Sequence, residues 1–327
     1  MKAIKFFAIT AMAAAMITSC SNEDELSQSN YPSDNIIRVT AGVNNAKTRA
    51  EGAGTPLENP LSLTVVNKNA PKYTYVDKLF SKTSGDWACS ETLLWQKSDA
   101  LVDIVAFAPA QTGKFNGVYA NESIQPIAYS VADDQSTSSA NNDLLYYYAK
   151  DFNPGESLDK GKLKIQFNHA FCMIDINVTL GTEFNKPSIP TTSPITEVTL
   201  EGTKIEANVN VTNAANIVTA NETATAAKII TTKGTFDKVA NAEANAKSHF
   251  SCIAIPQKVA ANTFKVSLMT AGKLYEWTSD KEITLQSGYK YTLELSMGND
   301  VVLLKNGSIS ASPWTEGDTG DKPLETD

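Results

Sequence analysis

Apolar and polar residues alternate with a period of two along much of this chain. In the clearest run Ile205, Ala207, Val209 and Val211 fall on one side, and Glu206, Asn208 and Asn210 on the other. That period puts successive side chains on opposite faces of an extended strand, one buried and one solvated. Comparable short runs cover residues 36–43, 61–66, 73–76, 101–107, 123–131 and 144–149. Further along they cover 163–167, 173–178, 195–200, 204–211, 250–255, 263–269, 274–278, 282–285 and 289–295, with a last extended run at 308–314. Gly, Pro, Asn, Asp or Ser bound each one, as turns require. Glu201-Gly202-Thr203 reads as a hairpin turn. Two alanine-rich stretches, 214–227 and 237–247, carry enough Thr and Asn to favour loops over helices.

Many short strands, each with one apolar face, predict an all-β chain of stacked sheets, because a second sheet about 10 Å away covers that face. The weakest composition between strand blocks is Asp151-Phe152-Asn153-Pro154-Gly155-Glu156. It predicts a junction near residue 160 and two β-sandwich domains, 36–160 and 161–327, as the length of 327 residues allows.

The first residues follow another pattern. Lys2 and Lys5 precede an apolar run over 6–17 that only Thr10 interrupts, and Thr18-Ser19-Cys20 follows. A basic start, roughly 7–15 apolar residues and small residues before a cut make a secretory signal, too short for the ~20 residues of a membrane span. The cysteine at its end makes the segment similar to a lipobox, so residues 1–19 are expected to be removed and Cys20 to carry lipid. Acyl chains contribute about 0.8 kcal/mol per buried CH₂, enough for several together to anchor firmly. Residues 20–35 are polar, with Ser, Asn and Pro, and read as a tether.

Charge and chemistry narrow the function. The net charge is −8 with no basic stripe, which argues against nucleic acid as a partner. Of four cysteines, Cys20, Cys89, Cys172 and Cys252, none forms a CxxC pair, so no zinc site is expected. The last three are compatible with one disulfide and a free thiol, or more simply with small buried hydrophobes. His169 and His249 are the only histidines, each beside a strand, where a structural role is the simpler reading. No HExxH, GxSxG, phosphate-loop or dinucleotide fingerprint occurs, so no enzyme, metal or cofactor is expected. The tryptophans and Tyr146-Tyr147-Tyr148 leave a glycan-binding surface as an alternative, with Tyr147 facing opposite to its neighbours.

Several segments together resemble the fimbrillin family, the subunits of lipoprotein-derived (type V) pili in Bacteroidales. They are the lipobox with its acidic tether, residues 36–43 followed by Thr48-Arg49-Ala50, and Leu94-Trp95 before Val102-Asp103-Ile104-Val105-Ala106-Phe107-Ala108-Pro109. Asp134-Gln135-Ser136 before Asn142-Asp143-Leu144-Leu145-Tyr146, then 163–170, and Ile309-Ser310-Ala311-Ser312-Pro313-Trp314 complete the set. The resemblance implies two transthyretin-like β-sandwiches, an outer-membrane lipoprotein precursor and a later place in a cell-surface fimbrium. It also implies a trypsin-like protease cutting between Arg49 and Ala50, and assembly by strand exchange with other fimbrial subunits. Ile37, Val39 and Ala41 would then line the displaced strand. Val301, Val302, Leu303, Leu304 and Ile309, with Trp314 as a plug, would supply the donor. The acidic stretch after Trp314 suits a solvated end, which would favour a tip or accessory subunit. The alternative is a monomeric surface lipoprotein that binds glycans or host ligands.

Overall fold

The computed structural model describes residues 30–44, 55–137, 142–299, 301–304 and 309–314. The signal segment, Cys20, Arg49 and Ala50 therefore lie outside the described residues. Among those described, nearly all regular structure is strand, as the alternation predicts. The first part of the chain forms β1 (Val39–Val43), β2 (Thr55–Pro56), β3 (Leu61–Val66), β4 (Tyr75–Thr83), β5 (Asp86–Cys89), β6 (Val102–Ala108), β7 (Tyr119–Ala120), β8 (Ser123–Ile124), β9 (Ile127–Ser130), β10 (Leu145–Phe152) and β11 (Leu163–His169). The remainder forms β12 (Cys172–Leu180), β13 (Glu197–Thr203), β14 (Glu206–Val209), β15 (Val218–Ala220), β16 (Ala227–Ile230), β17 (Thr232–Asp237), β18 (Lys247–Ala254), β19 (Lys258–Val259), β20 (Lys265–Met269), β21 (Leu274–Thr278), β22 (Ile283–Thr284), β23 (Tyr289–Met297), β24 (Val302–Leu304) and β25 (Ser310–Pro313).

One sheet runs β2-β1-β11-β10-β6-β3-β4-β5. Every side chain of β3 and β6 is buried, so their sequences read as continuous apolar runs instead of alternating ones. The reason is a core on each side of β6. Ile104, Ala106 and Ala108 face a cluster with Leu61, Leu63, Val65, Leu163 and Phe167. Val105 and Phe107 face a second cluster, where the Phe107 ring lies 4.7 Å from that of Phe115.

That second cluster is enclosed by a sheet ordered β17-β18-β12-β23-β24, with β25 also on β23, and by the sheet β16-β13-β20-β21. A third small sheet, β15-β14-β9, closes it. In β15 the buried Val218 and Ala220 flank the exposed Thr219, a strand inside a stretch expected to be loop. The expected hairpin turn at 201–203 is a bulge within β13. Gly202 there has φ +91°, and a Cβ on it would lie 2.1 Å from the Thr263 carbonyl oxygen.

Two strands lie across the expected junction at residue 160. β11 follows it yet pairs with β1 and β10, and β9 precedes it yet pairs with β14, Ile127 opposite Val209. The core changes between Phe167, in the first cluster, and Ala170, in the second. The Pro-Gly segment that suggested a boundary is instead a single helical turn, Pro154–Ser157, capped by the Asn153 side chain, which accepts from Gly155 N at 3.1 Å.

Gln135 ties these parts together. Its amide is fully buried, donates to the carbonyls of Ala132 (3.0 Å) and Ile253 (2.9 Å), and accepts from Ile253 N (2.8 Å). It thus continues the ladder of β18 beyond its last paired residue in β17. Gln135→Leu strands two buried backbone groups at roughly 1–3 kcal/mol each, so urea unfolding should show a loss of about 2–6 kcal/mol. An unchanged midpoint would mean that the amide contributes nothing.

Candidate functional site

β1 lies parallel to β11, Val39 opposite Leu163, Ala41 opposite Ile165 and Val43 opposite Phe167, with β2 antiparallel on its other edge. Ile37, Val39 and Val43 are buried in the first cluster and Ala41 is half-buried, all on one face at a spacing of two. Sequence reasoning named the first, second and last of these; the row extends one step further, to Val43. The strand itself begins at Val39. Before it, Ile37 N donates to Leu93 O at 2.9 Å, and Trp95 N to Asn35 O at 2.8 Å. Burying three large aliphatic side chains is worth about 5–9 kcal/mol at roughly 1.5–3 each, so the slot needs an occupant.

The ends of this segment are also held. Arg38 grips Asp34 through both terminal nitrogens, at 3.0 and 2.6 Å, and that hydrogen-bonded guanidinium holds the Asp34 carboxyl at about 2. Asn44 N donates to Phe167 O at 2.8 Å, and its side-chain amide to Asn168 Oδ1 at 2.8 Å.

The carboxyl-terminal candidates sit on β23. β24 and β25 lie antiparallel along the same edge of it, but out of step: Leu304 faces Leu295 whereas Ser310 faces Thr292. Val302 is buried, Leu304 and Ile309 are half-buried against the second cluster, and Val301 and Leu303 are 49% and 59% exposed. Trp314 is buried. Its backbone N–H donates to Gly288 O at 2.7 Å, and its ring stacks on His169 with centroids 3.7 Å apart. His169 Nδ1 in turn lies 2.6 Å from Asp143 Oδ2.

His169 is thus the joint between segments far apart in sequence. Asn44, Asn168, His169, Gly288 and Trp314 line one cleft of about 430 Å³, so the end of β1 and the end of β25 open onto the same space. Neither histidine pattern nor spacing announces this, because the three partners come from residues 143, 169 and 314.

Other candidate chemistry is quiet. Among the described residues no cluster of His, Cys, Asp or Glu could hold a metal ion, and no helix is long and apolar enough to cross a membrane. Cys89, Cys172 and Cys252 are free; burial pushes Cys252 up to about 12 and raises Cys172 as well, so both behave as small hydrophobes. Tyr147 faces the first cluster and Tyr146 and Tyr148 the second, with all three half-buried.

A family model described as fimbrillin-like matches residues 39–314, from the first residue of β1 to the stacked Trp314. The chain belongs to the fimbrillin-like family. The fold of this fimbrillin-like chain is shared with solved structures of low sequence identity. A proposed cell adhesion protein from Bacteroides ovatus superposes with a TM-score of 0.62 at 16% identity, over 86% of this chain and 99% of that one. A proposed cell adhesion protein from Bacteroides uniformis gives 0.56 at 14% identity, over 87% and 100%. A fimbrial protein from Bacteroides vulgatus gives 0.53 at 16%, over 86% and 99%. No curated protein matches significantly.

In this fimbrillin-like chain Trp314 holds the carboxyl-terminal end of β25 against His169. Trp314→Ala removes the stack on His169, and hydrogen exchange should then quicken at least tenfold in Ser310–Ser312 while β12 is unaffected. Unchanged exchange there would show that the ladder alone holds the segment.

Proposed function

We propose that this chain is a structural or adhesive subunit of a cell-surface fimbria, exported as a lipoprotein through Cys20 and assembled by strand exchange after a cut between Arg49 and Ala50. The observation that carries this reading is the placement of β1. It is a short strand near the amino end, it fills an apolar slot with Ile37, Val39 and Val43, and it leaves the sheet at Asn44 toward the segment bearing Arg49. Its withdrawal would bare the β11 edge and the slot together. An extended segment of a neighbouring subunit would restore both the ladder and the buried row. Such an interface is head-to-tail and does not close, so it builds filaments.

Two features favour the details. Arg38, the competing basic site, has its side chain engaged by Asp34 and its carbonyl accepting from Leu163 N at 2.7 Å, a poor setting for a protease that needs free extended chain. Val301 and Leu303 already present their side chains to solvent from an edge strand, so moving 301–304 into another subunit's slot would gain burial. The partners are then sister subunits, a trypsin-like protease and, through Cys20, the outer membrane. The chain acts by assembly and binding, not by catalysis.

Brief trypsin treatment of the purified protein should expose Ala50 as the new amino terminus and yield stable oligomers, whereas Arg49→Gln should stay uncut and monomeric. A chain ending before Val301 should be cut but fail to polymerise. Filament growth by that truncated chain would remove 301–314 as the donor, and monomers persisting after a clean cut would reject strand exchange itself.

A further inference from the structure

β24 has little of its own to hold it. It is three residues long, pairs at three positions with β23 alone among the described strands, and lies at the edge of its sheet. Only Val302 is buried, while Leu303 faces solvent. A ladder and a burial of that size leave a short edge segment at the low end of local stability. The turn before it, however, is gripped from both sides. There Gly298 N donates to Val301 O at 2.9 Å, and Asn299 next to it has both backbone groups engaged by side chains distant in sequence. Its N–H donates to Glu183 Oε1 at 2.9 Å. Its carbonyl accepts from the Tyr275 hydroxyl at 2.8 Å and from the Lys273 ammonium. At an exposed turn water satisfies such groups, so this engagement adds hold where solvation would suffice.

Both sides of this grip are themselves fixed. Glu183 stands on a helical turn, Thr182–Asn185, that begins two residues after β12 ends. Gly181 N donates to Met297 O at 2.8 Å, and the buried Asn185 amide donates to the carbonyls of Ala242 (2.8 Å) and Ala244 (2.9 Å). Two glycines make room for the carboxylate. A Cβ on Gly181 would lie 2.2 Å from Glu183 Oε2, and one on Gly298 would lie 3.1 Å from Oε1. On the other side Tyr275 is buried in β21, the last strand of the neighbouring sheet, with the Lys273 ammonium 4.9 Å from its ring centroid. A carboxylate accepting from a backbone N–H makes a charge-assisted bond, roughly twice as strong as a neutral one. The grip thus joins two sheets and closes on the residue from which β24 hangs.

We propose that Glu183, with Tyr275 and Lys273, forms a catch on Asn299 that keeps Val302–Leu304 on their own subunit and slows their transfer to another. The chain up to Asn299 stays with the body of the molecule, and the arm that leaves starts beyond it. This deepens the function above and rests on it in taking 301–304 as the segment transferred. The hold of the catch within the uncut chain does not depend on that reading.

The test is amide hydrogen exchange of the uncut full-length protein, followed by filament growth after trypsin. In Glu183→Ala the amides of Val302–Leu304 should exchange at least tenfold faster, with β12 and Ser310–Ser312 unchanged. Tyr275→Phe, which leaves Lys273 on the carbonyl, should quicken them at least threefold. Gly181→Ala displaces the carboxylate but keeps its charge, and the φ of −63° at Gly181 accommodates alanine. It should act like Glu183→Ala, and it serves in place of either variant that does not fold. After the cut, Glu183→Ala should form filaments at least threefold faster than the wild type. Unchanged amide rates in β24, or equal quickening in β12, would overturn the catch. Filament growth at or below the wild-type rate would overturn its restraint on transfer. Wild-type protein that stays monomeric after a clean cut counts against strand exchange, while the amide rates of the uncut chain still decide the catch.

Discussion

A strand in the interior of a sheet must have both edges paired, and β11 obtains most of its pairing from β1. With β10 it shares only two register positions, at its last residues, whereas with β1 it shares five. The backbone of β11 and the apolar row above it therefore depend on a five-residue strand whose other edge carries only the two-residue β2. Leu163, Ile165 and Phe167 are fully buried because Val39, Ala41 and Val43 lie beside them. Removing that neighbour would expose polar backbone and apolar side chains at once, a combination that water satisfies poorly and another extended chain satisfies well.

The two cores are coupled through strands that face both. β6 sends alternate side chains to each cluster, and β9 carries a segment from the first part of the chain into the second. Gln135 and the His169–Asp143 pair sit at these crossings. Asp77, with φ +49°, does similar work inside the first sheet: its carboxylate accepts from Ser62 Oγ at 2.5 Å and from Phe115 N at 3.0 Å. Buried polar groups of this kind fix which strand lies beside which, where apolar packing alone would tolerate several arrangements.

How much of this was legible in the sequence follows from the same physics. Alternation located β14, β21 and β23 closely, because each has one wetter face, whereas the run over 263–269 located β20 although its three middle residues are all buried. It also found the face formed by Ile37, Val39 and Ala41. Most of β4 and all of β5 escaped, since the left-handed Asp77 interrupts the period and lysines at 78 and 82 mask the buried Phe80. The junction near 160 rested on a Pro-Gly pair that starts a helical turn. The meeting of Asp143, His169 and Trp314 had no local signature. Within the family motifs, by contrast, Asp-Gln-Ser acquires a reason: the middle residue substitutes a side-chain amide for a missing strand.

The geometry of the ladder at β1 also has a mechanical side. Its hydrogen bonds to β11 run across the strand direction, so tension along the strand loads several of them together, while a lift from one end breaks them one after another. The segment is anchored at the far end by the Arg38 carbonyl and at the near end by Asn44. A molecule built this way withstands drag along that axis and yields to peeling from its tip.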